Sequence, residues 1–347
     1  MRYILISFTI FLFVSTTRAQ QNNLISIKGK VVDEQTGAPL EDVNIFLSNT
    51  TIGTSTGKNG KFVISNVPFG TYNIIFSYIG YETEKRNFYA YKPEPFEFNI
   101  SLKRKAINLK QVNISGTIPK DWKENLKVFT KIFLGATGNA KDTKILNPEV
   151  LDLTINKKTG ILNAHADSVV RVENMALGYM LYIVLDSLEY VPYKNYKYMF
   201  YPRFKELTPV SEEEIQTWET NRQQTYLDSP KHFFYALVHK QLDKDYYALH
   251  EGTLVSLMNG EGTSILPEDL NLTCNRDSSL YILNFTGGLK VSRFLNSSSY
   301  LNFFYPSVSI DKYGNLLSSF FDVEIFGAWA NLGIADLLPE NYLYREK

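Results

Sequence analysis

The chain has 347 residues, with 44% apolar against 21% charged side chains, a balance that leaves room for about two globular domains and excludes wholesale disorder. Lys plus Arg and Asp plus Glu each total 36, so the formal charge is zero and the basic excess expected of a nucleic-acid-binding protein is missing. One cysteine excludes an intramolecular disulfide framework and a thiolate zinc cluster, while 23 Tyr and 23 Phe against 5 Met favour sheet-rich structure.

At the start of the chain Arg2 precedes an apolar run over residues 4–14, and Thr17 and Ala19 place small residues at the third and first positions before Gln20. The pattern predicts a signal peptide at 1–19, cleaved after Ala19. The run is shorter than the roughly 20 residues of a membrane-spanning helix, no cysteine follows it to carry a lipid, and no later segment reaches a spanning length. An exported mature chain without a transmembrane segment is expected.

Residues 24–102 alternate short β-rich runs with turn chemistry, as a small all-β sandwich does. Residues 25–32 alternate cleanly and Thr36-Gly37 makes the first turn. Val43, Ile45 and Leu47 share one strand face, Phe62 and Ile64 a second, Tyr72, Ile74 and Phe76 a third. Lys58-Asn59-Gly60 and Pro68-Phe69-Gly70 supply the reversals between them.

The pattern Gly29-x-Val31-x-Asp33-x-x-Thr36-Gly37-x-Pro39-Leu40, followed by Gly53, Thr56, Gly60-x-Phe62, Pro68-x-Gly70-x-Tyr72 and Tyr78-x-Gly80-Tyr81, resembles the carboxypeptidase regulatory-like domain, a prealbumin-like sandwich. Gly57 departs from it, the family more often having an acid there. The resemblance implies an accessory module with no catalytic residues, of the kind found at the front of outer-membrane TonB-dependent receptors and of secreted proteins of Gram-negative bacteria. It therefore implies a location in the periplasm or at the outer membrane.

Residues 103–118 form a strand end and linker, with a last short strand expected at 109–114. The triplet Lys103-Arg104-Lys105 has two readings, a contact to anionic lipid or a solvated strand edge, and the second is preferred. From 119 to 347 strands and helices come in blocks, which predicts a larger α+β domain with a mostly antiparallel sheet. Trp122, Leu126, Phe129 and Phe133 recur at helical spacing and Gly135 ends that helix. Residues 150–156 and 161–166 read as a hairpin, and 169–185 and 196–204 as further strands. Ser211 with three following glutamates opens one helix, and Ser229-Pro230 opens a second carrying Phe233, Phe234 and Leu237. Strands are expected at 253–258, 280–285, 300–310 and 316–326. Asn147-Pro148-Glu149, Glu173-Asn174-x-x-Leu177-Gly178-Tyr179, Trp218-x-x-x-Arg222-x-x-x-Tyr226, Ser229-Pro230-x-His232-Phe233 and Ala335-Asp336-Leu337-Leu338-Pro339 resemble a second region that follows this module in secreted proteins and has no activity attached to it.

Catalytic motifs mostly fail on context. Gly53-Thr54-Ser55-Thr56-Gly57 fits the nucleophile-elbow string but lies in a β-sandwich with no helix after it. Among the four histidines, His165, His232, His239 and His250, none forms a His-Glu-x-x-His pair, so no metal and no cofactor are expected. Cys274 reads as a small buried hydrophobe. The candidate binding residues are Trp218, Arg222, Tyr226 and His232. An arginine between aromatics at i−4 and i+4 can present its fork to a ligand carboxylate or clamp the helix pair to the sheet, and the clamp is preferred. The function expected is non-catalytic docking or ligand binding, with an outer-membrane protein or an envelope glycan or peptide as partner. The alternative is a periplasmic hydrolase of glycan or peptide using acids such as Glu149, Glu173 or Asp186.

Overall fold

A computed structural model supplies the fold and describes residues 24–90, 92, 94–105, 121–192, 196–275, 280–294, 297–317, 323–342 and 344. The expected signal at 1–19 and the expected strand at 109–114 lie outside the described residues.

Strands β1 (Leu24–Asp33), β2 (Asn44–Leu47), β3 (Gly53–Ser55), β4 (Lys61–Pro68), β5 (Gly70–Ser77), β6 (Glu84–Ala90) and β7 (Phe96–Leu102) form two sheets, ordered β4-β1-β7 and β3-β2-β5-β6. β7 runs parallel to β1 and the other pairings are antiparallel. Because side chains alternate across a strand, Ile27, Val31, Val43, Ile45, Phe62, Ile64, Ile74 and Phe76 all meet between the sheets. Each of the three strand faces read from the sequence lines this core.

The first turn is held by Asp33, whose carboxylate is 1% exposed and accepts from Tyr81 Oη at 2.7 Å, Arg104 Nε at 2.7 Å and Thr36 N at 2.8 Å. Lys103 meets Glu82 at 3.0 Å and Lys105 Nζ donates to Asp167 O at 3.4 Å, so each cation of the basic triplet has a partner on this chain. The Tyr81 hydroxyl and then the Arg104 guanidinium hold the Asp33 carboxyl far below the usual carboxylate range. A depressed folded pKa gives stability that is present above the unfolded value, about 4, and is lost as pH falls toward the folded one. Asp33→Asn should therefore lower Tm at neutral pH, and the gap from wild type should narrow below about pH 3. A gap that stayed constant from pH 7 to pH 2 would refute the charge-based account.

The second unit contains α1 (Trp122–Leu134), β8 (Thr143–Ile145), β9 (Leu151–Ile155), β10 (Leu162–Ala166), β11 (Val170–Asn174), β12 (Tyr179–Tyr190) and β13 (Tyr196–Glu206). Phe129 and Phe133, one turn apart, stack at 4.7 Å and seat α1 on the core of this sheet. β12 organises the sheet. Its first half pairs with β11, its second half with β10, and β13 runs along its other edge through a bulge between Leu185 and Ser187. The single strand expected over 169–185 is corrected to a hairpin: the reversal at 175–178 carries the apolar residues Met175, Ala176 and Leu177, so the sequence offered little turn chemistry there. Asn174 Oδ1 makes that reversal by accepting Leu177 N at 3.0 Å.

The third unit contains α2 (Glu212–Leu227), α3 (Pro230–Val238), β14 (Tyr247–Gly252), α4 (Leu254–Met258), β15 (Thr263–Ile265), β16 (Asn271–Cys274), β17 (Leu280–Asn284), β18 (Gly287–Arg293), β19 (Ser297–Phe303), β20 (Val308–Asp311) and β21 (Val323–Gly327). Sheets ordered β15-β14-β18-β19-β21 and β16-β17-β20 enclose a third core with α3. Ser211 and Ser229 cap α2 and α3 as their positions predict, each accepting a backbone N–H three residues on. The strand expected at 253–258 is instead α4, because Thr253 Oγ1 caps it by accepting Ser256 N at 3.1 Å and only Leu257 among its residues is buried. The run 300–310 is likewise two strands in different sheets, separated at Pro306, which has no N–H for a ladder. Of the strand expected at 316–326, β21 is present, and 318–322 lie outside the described residues. Cys274 is exposed, contrary to its reading as a buried hydrophobe, because it ends β16 at the sheet margin.

The sandwich packs against the second unit. Residues alternate to the core face of β2 and β5 have no core of their own; Phe46 and Ile75, both 0% exposed, instead bury against Val184, with Val169 and Tyr201 beside them. The β2–β3 turn is stitched to β13, with Asn49 N donating to Pro202 O at 2.8 Å and Phe204 N to Thr50 O at 2.9 Å. Arg203 donates to Asn44 Oδ1 at 2.7 Å, and Lys85 ion-pairs with Asp186. Gly53 permits this approach, since a Cβ there would lie 2.9 Å from Arg203 Nε and 2.8 Å from Phe46 Cβ. Among the described residues no helix is long and apolar enough to cross a membrane.

Candidate functional site

The aromatic-arginine row lies on one side of α2, as its spacing predicts, and grips the β11–β12 reversal. Trp218 Nε1 donates to Met175 O at 2.7 Å, Arg222 Nε to Leu177 O at 2.7 Å and Arg222 Nη2 to Gly178 O at 3.3 Å. Asn221 Nδ2 adds a bond to Ala176 O at 2.9 Å, so four consecutive carbonyls of the turn are capped from one helix. The guanidinium lies 4.1 Å from the Tyr179 ring centroid, and Arg222 Nη1 is 3.5 Å from Glu206. The arginine fork is thus spent on the turn. Tyr226 and His232 belong to a separate corner, where their rings meet edge to face at 5.1 Å. His232 Nδ1 shares a hydrogen bond with the Tyr247 hydroxyl at 2.9 Å. Burial, followed by the nearby Arg293 charge, lowers the His232 pKa to about 4, so the ring is neutral at neutral pH.

A larger concavity lies elsewhere, on the solvent face of the β9-β10-β12-β13 sheet beside the docked sandwich. It is an open groove of about 580 Å³, lined by side chains of Asp152, Thr154, Asn163, His165, Asp186, Ser187, Glu189, Lys197 and Met199 among others. Alternation builds it: Leu151, Leu153, Leu162 and Ala164 turn into the core and leave the polar residues between them outside. Register then aligns Thr154 with Asn163, Asn163 with Glu189 and Glu189 with Lys197 in one row across four strands. At about 4.8 Å per strand the row is roughly 14 Å long.

Two acids of the groove face cations: Glu189 lies opposite Lys197 in the register and Asp186 holds Lys85 of the sandwich, while Asp152 Oδ2 lies 3.7 Å from His165 Nε2. Asp186 is the extra residue of the β12 bulge, the kind of irregularity that re-aims a side chain. Burial alone would lower the Lys85 pKa, but the Asp186 carboxylate reverses the balance and raises it. That pair therefore holds throughout neutral pH and is lost as pH rises through the raised lysine value.

Of the three acids named for a hydrolase, only Asp186 lines the groove; Glu149 precedes β9 and Glu173 sits on β11. The Gly53–Ser55 strand leads into no helix, and the following Thr56 hydroxyl is engaged by Val43 N and Leu40 O at 2.9 and 2.6 Å. His239 stacks on Tyr235 at 4.1 Å, away from the His232 corner. Among the described residues no three His, Cys, Asp or Glu side chains are placed to share an ion. Apart from Asp186 and His165, the groove residues were not singled out in the sequence. Their signal was present in the polar positions of the 150–156 and 161–166 alternation, but it named a face and not its neighbours.

Residues 27–114 match the CarboxypepD_reg-like domain family, which gives the sandwich its fold and family. No curated protein matches the sequence. Among solved structures, a carbohydrate-binding candidate from Bacteroides uniformis is 10% identical, with 83% of this chain and 98% of that one covered at a TM-score of 0.18. A DUF3823 family protein from Parabacteroides merdae is 10% identical over 52% of this chain and 80% of that one, TM-score 0.18. A chain of a type II cohesin–X-dockerin complex from Acetivibrio cellulolyticus is 23% identical over 22% of this chain, TM-score 0.19; the chain spans about half of that protein's length, 52%. At these TM-scores the likeness does not extend to a shared overall arrangement.

Proposed function

We propose that the protein is a non-catalytic binding protein of the cell envelope, whose polar groove takes a short, uncharged, hydrogen-bonding ligand, a glycan before a peptide. The observation that carries this reading is the groove itself: Asp186 is paired in place, and Thr154, Asn163 and Ser187 present hydroxyls and an amide along its floor. Neutral donors and acceptors in a fixed row suit a polyol, whereas an anionic ligand would meet Asp152, Asp186 and Glu189. The sandwich serves as an accessory that reaches the groove through the ion pair of Lys85 with Asp186.

Titration of neutral oligosaccharides and uncharged peptides against the intact protein tests this. Asn163→Ala should weaken binding about five- to tenfold, the worth of a neutral hydrogen bond, with little change in Tm because the side chain is on the surface. A panel that shows no binding, or binding indifferent to Asn163, would reject the groove. Export is the second element of the proposal, and intact-mass analysis of envelope fractions should find a chain starting at Gln20. A start at Met1 in the inner membrane would reject it.

A hydrolase is the second reading, because Asp152, Asp186 and Glu189 share one groove and glycoside hydrolysis needs two carboxylates across a bond. It requires turnover of a bound oligosaccharide that Asp186→Asn or Glu189→Gln abolishes while binding persists.

A further inference from the structure

The sandwich, α3 and β20 all meet at one turn near the end of the chain. Glu340 and Asn341 are the central residues of a reversal closed by Tyr342 N, which donates to Pro339 O at 2.9 Å. On one side the turn holds the β2–β3 loop of the sandwich. Glu340 N donates to Asn49 O at 2.6 Å, Asn341 Oδ1 accepts from Thr51 N at 3.2 Å, and Asn341 Nδ2 donates to Thr51 Oγ1 at 2.8 Å. On the other side Lys231 Nζ, from the first turn of α3, donates to Glu340 O at 3.3 Å. The loop after β20 is seated on the same turn of α3: a Cβ on Gly314 would lie 2.4 Å from Lys231 O.

This junction encloses an odd number of charges. The charged groups facing the Glu340 carboxyl are Lys231 of α3 and Asp311, which ends β20; the sandwich loop contributes only the uncharged Asn49. Asp311 is committed to its own reversal, accepting from Tyr313 N at 2.8 Å and from Asn315 N and Nδ2 at 2.9 Å each. Two carboxyls thus share one ammonium, and Glu340 and Lys231 are both half-buried, where charge is costly. Burial pushes the Glu340 carboxyl up to about 7, opposed by Lys231 and by a hydrogen bond from the Asn49 side chain and reinforced by Asp311. Burial also lowers the Lys231 pKa, against the pull of both acids.

We propose that the Glu340 turn is an acid-closed latch between the sandwich and α3: with its carboxyl protonated the turn is fastened onto loop 49–51, and ionisation loosens it. The bonds that fasten it come from backbone and amide groups, so they are available in either charge state; what changes is the cost of enclosing the carboxylate. A free carboxyl titrates near 4.5 and the enclosed one near 7. The closed turn therefore has its full stability below about pH 4.5, loses it as pH rises to about 7, and changes no further above that. The contact of Phe46 and Ile75 with Val184 lies outside the cluster and stays shut throughout. The latch grades the grip of the sandwich on the helices without releasing the sandwich.

The test uses the full chain and two NMR measurements. The Glu340 carboxyl carbon should titrate near 7 and not near 4.5. The protection of the Glu340 and Thr51 amides, normalised to the exchange rate of unstructured chain, should fall about ten- to a hundredfold between pH 4.5 and pH 7 and then level off. In Glu340→Gln, which keeps the hydrogen bonds and cannot ionise, both amides should hold one protection across that range. Lys231→Met removes the cation that favours the carboxylate and should move the Glu340 transition to higher pH. A wild-type carboxyl that titrates near 4.5 overturns the proposal, as does an equal fall in protection in Glu340→Gln. Should that variant not fold, the wild-type carboxyl titration gives the decision alone.

Discussion

Gly178→Ala should destabilise the protein by about 3 kcal/mol or more, from left-handed backbone strain and overpacking together. Gly178 has φ +68, and a Cβ there would sit 2.3 Å from the Trp218 ring, with no room for the helix to give way while three other contacts hold it to the same turn. Arg222→Ala should cost about 1–3 kcal/mol by stranding the Leu177 and Gly178 carbonyls. If the row acts as a clamp, Trp218→Ala should relieve part of the Gly178→Ala loss, a coupling that thermal or urea unfolding of the double mutant would measure. If the row instead served a ligand, Arg222→Ala would leave Tm unchanged and remove ligand-induced stabilisation. The two results cannot be confused.

Phe46→Asp should separate the sandwich from the rest of the protein without unfolding it. Phe46 and Ile75 bury outside the sandwich core, against Val184, and their apolar contact contributes about 5 kcal/mol to docking at ordinary area coefficients. A carboxylate there replaces the apolar contact with a group that costs free energy to take out of water. The sandwich core of Ile27, Val43, Ile45, Ile74 and Phe76 faces the other way and should survive. Small-angle scattering should show a larger radius of gyration, hydrogen exchange should rise along β2, β5 and the middle of β12, and β1 should stay protected. Global loss of protection in β1 would mean that the sandwich depends on the interface for its own stability. Lys85→Met, which removes the Asp186 partner at the groove wall, should loosen the same junction by a smaller amount and alter the groove.

How much of this was legible in the sequence follows from the range of each signal. The sandwich strands, the β9–β10 hairpin and the caps of α2 and α3 were readable because period-two alternation, Gly and Asn turns and serine caps act within a few residues of each other. α4 was misread because five residues are too few to show a helical period, and only the Thr253 cap, a single hydroxyl, decides the matter. The turn at 175–178 was missed because Met175, Ala176 and Leu177 occupy it, and apolar residues in a reversal do not mark a strand end.

The candidate site shows the same division. Helical spacing put Trp218, Arg222 and Tyr226 on one side of α2, and that arrangement is local. What each side chain meets is set by residues far away in the chain: Met175 to Gly178 for the first two, Tyr342 and Tyr344 for the third. Alternation likewise stated that β2 has a second face with Phe46 on it and that β10 has an outer face with Asn163 on it. It could not state that the first is covered by β12 and the second is left open as a groove, because a periodicity of two is a property of one strand, whereas covering a face depends on which strands the whole chain brings alongside it.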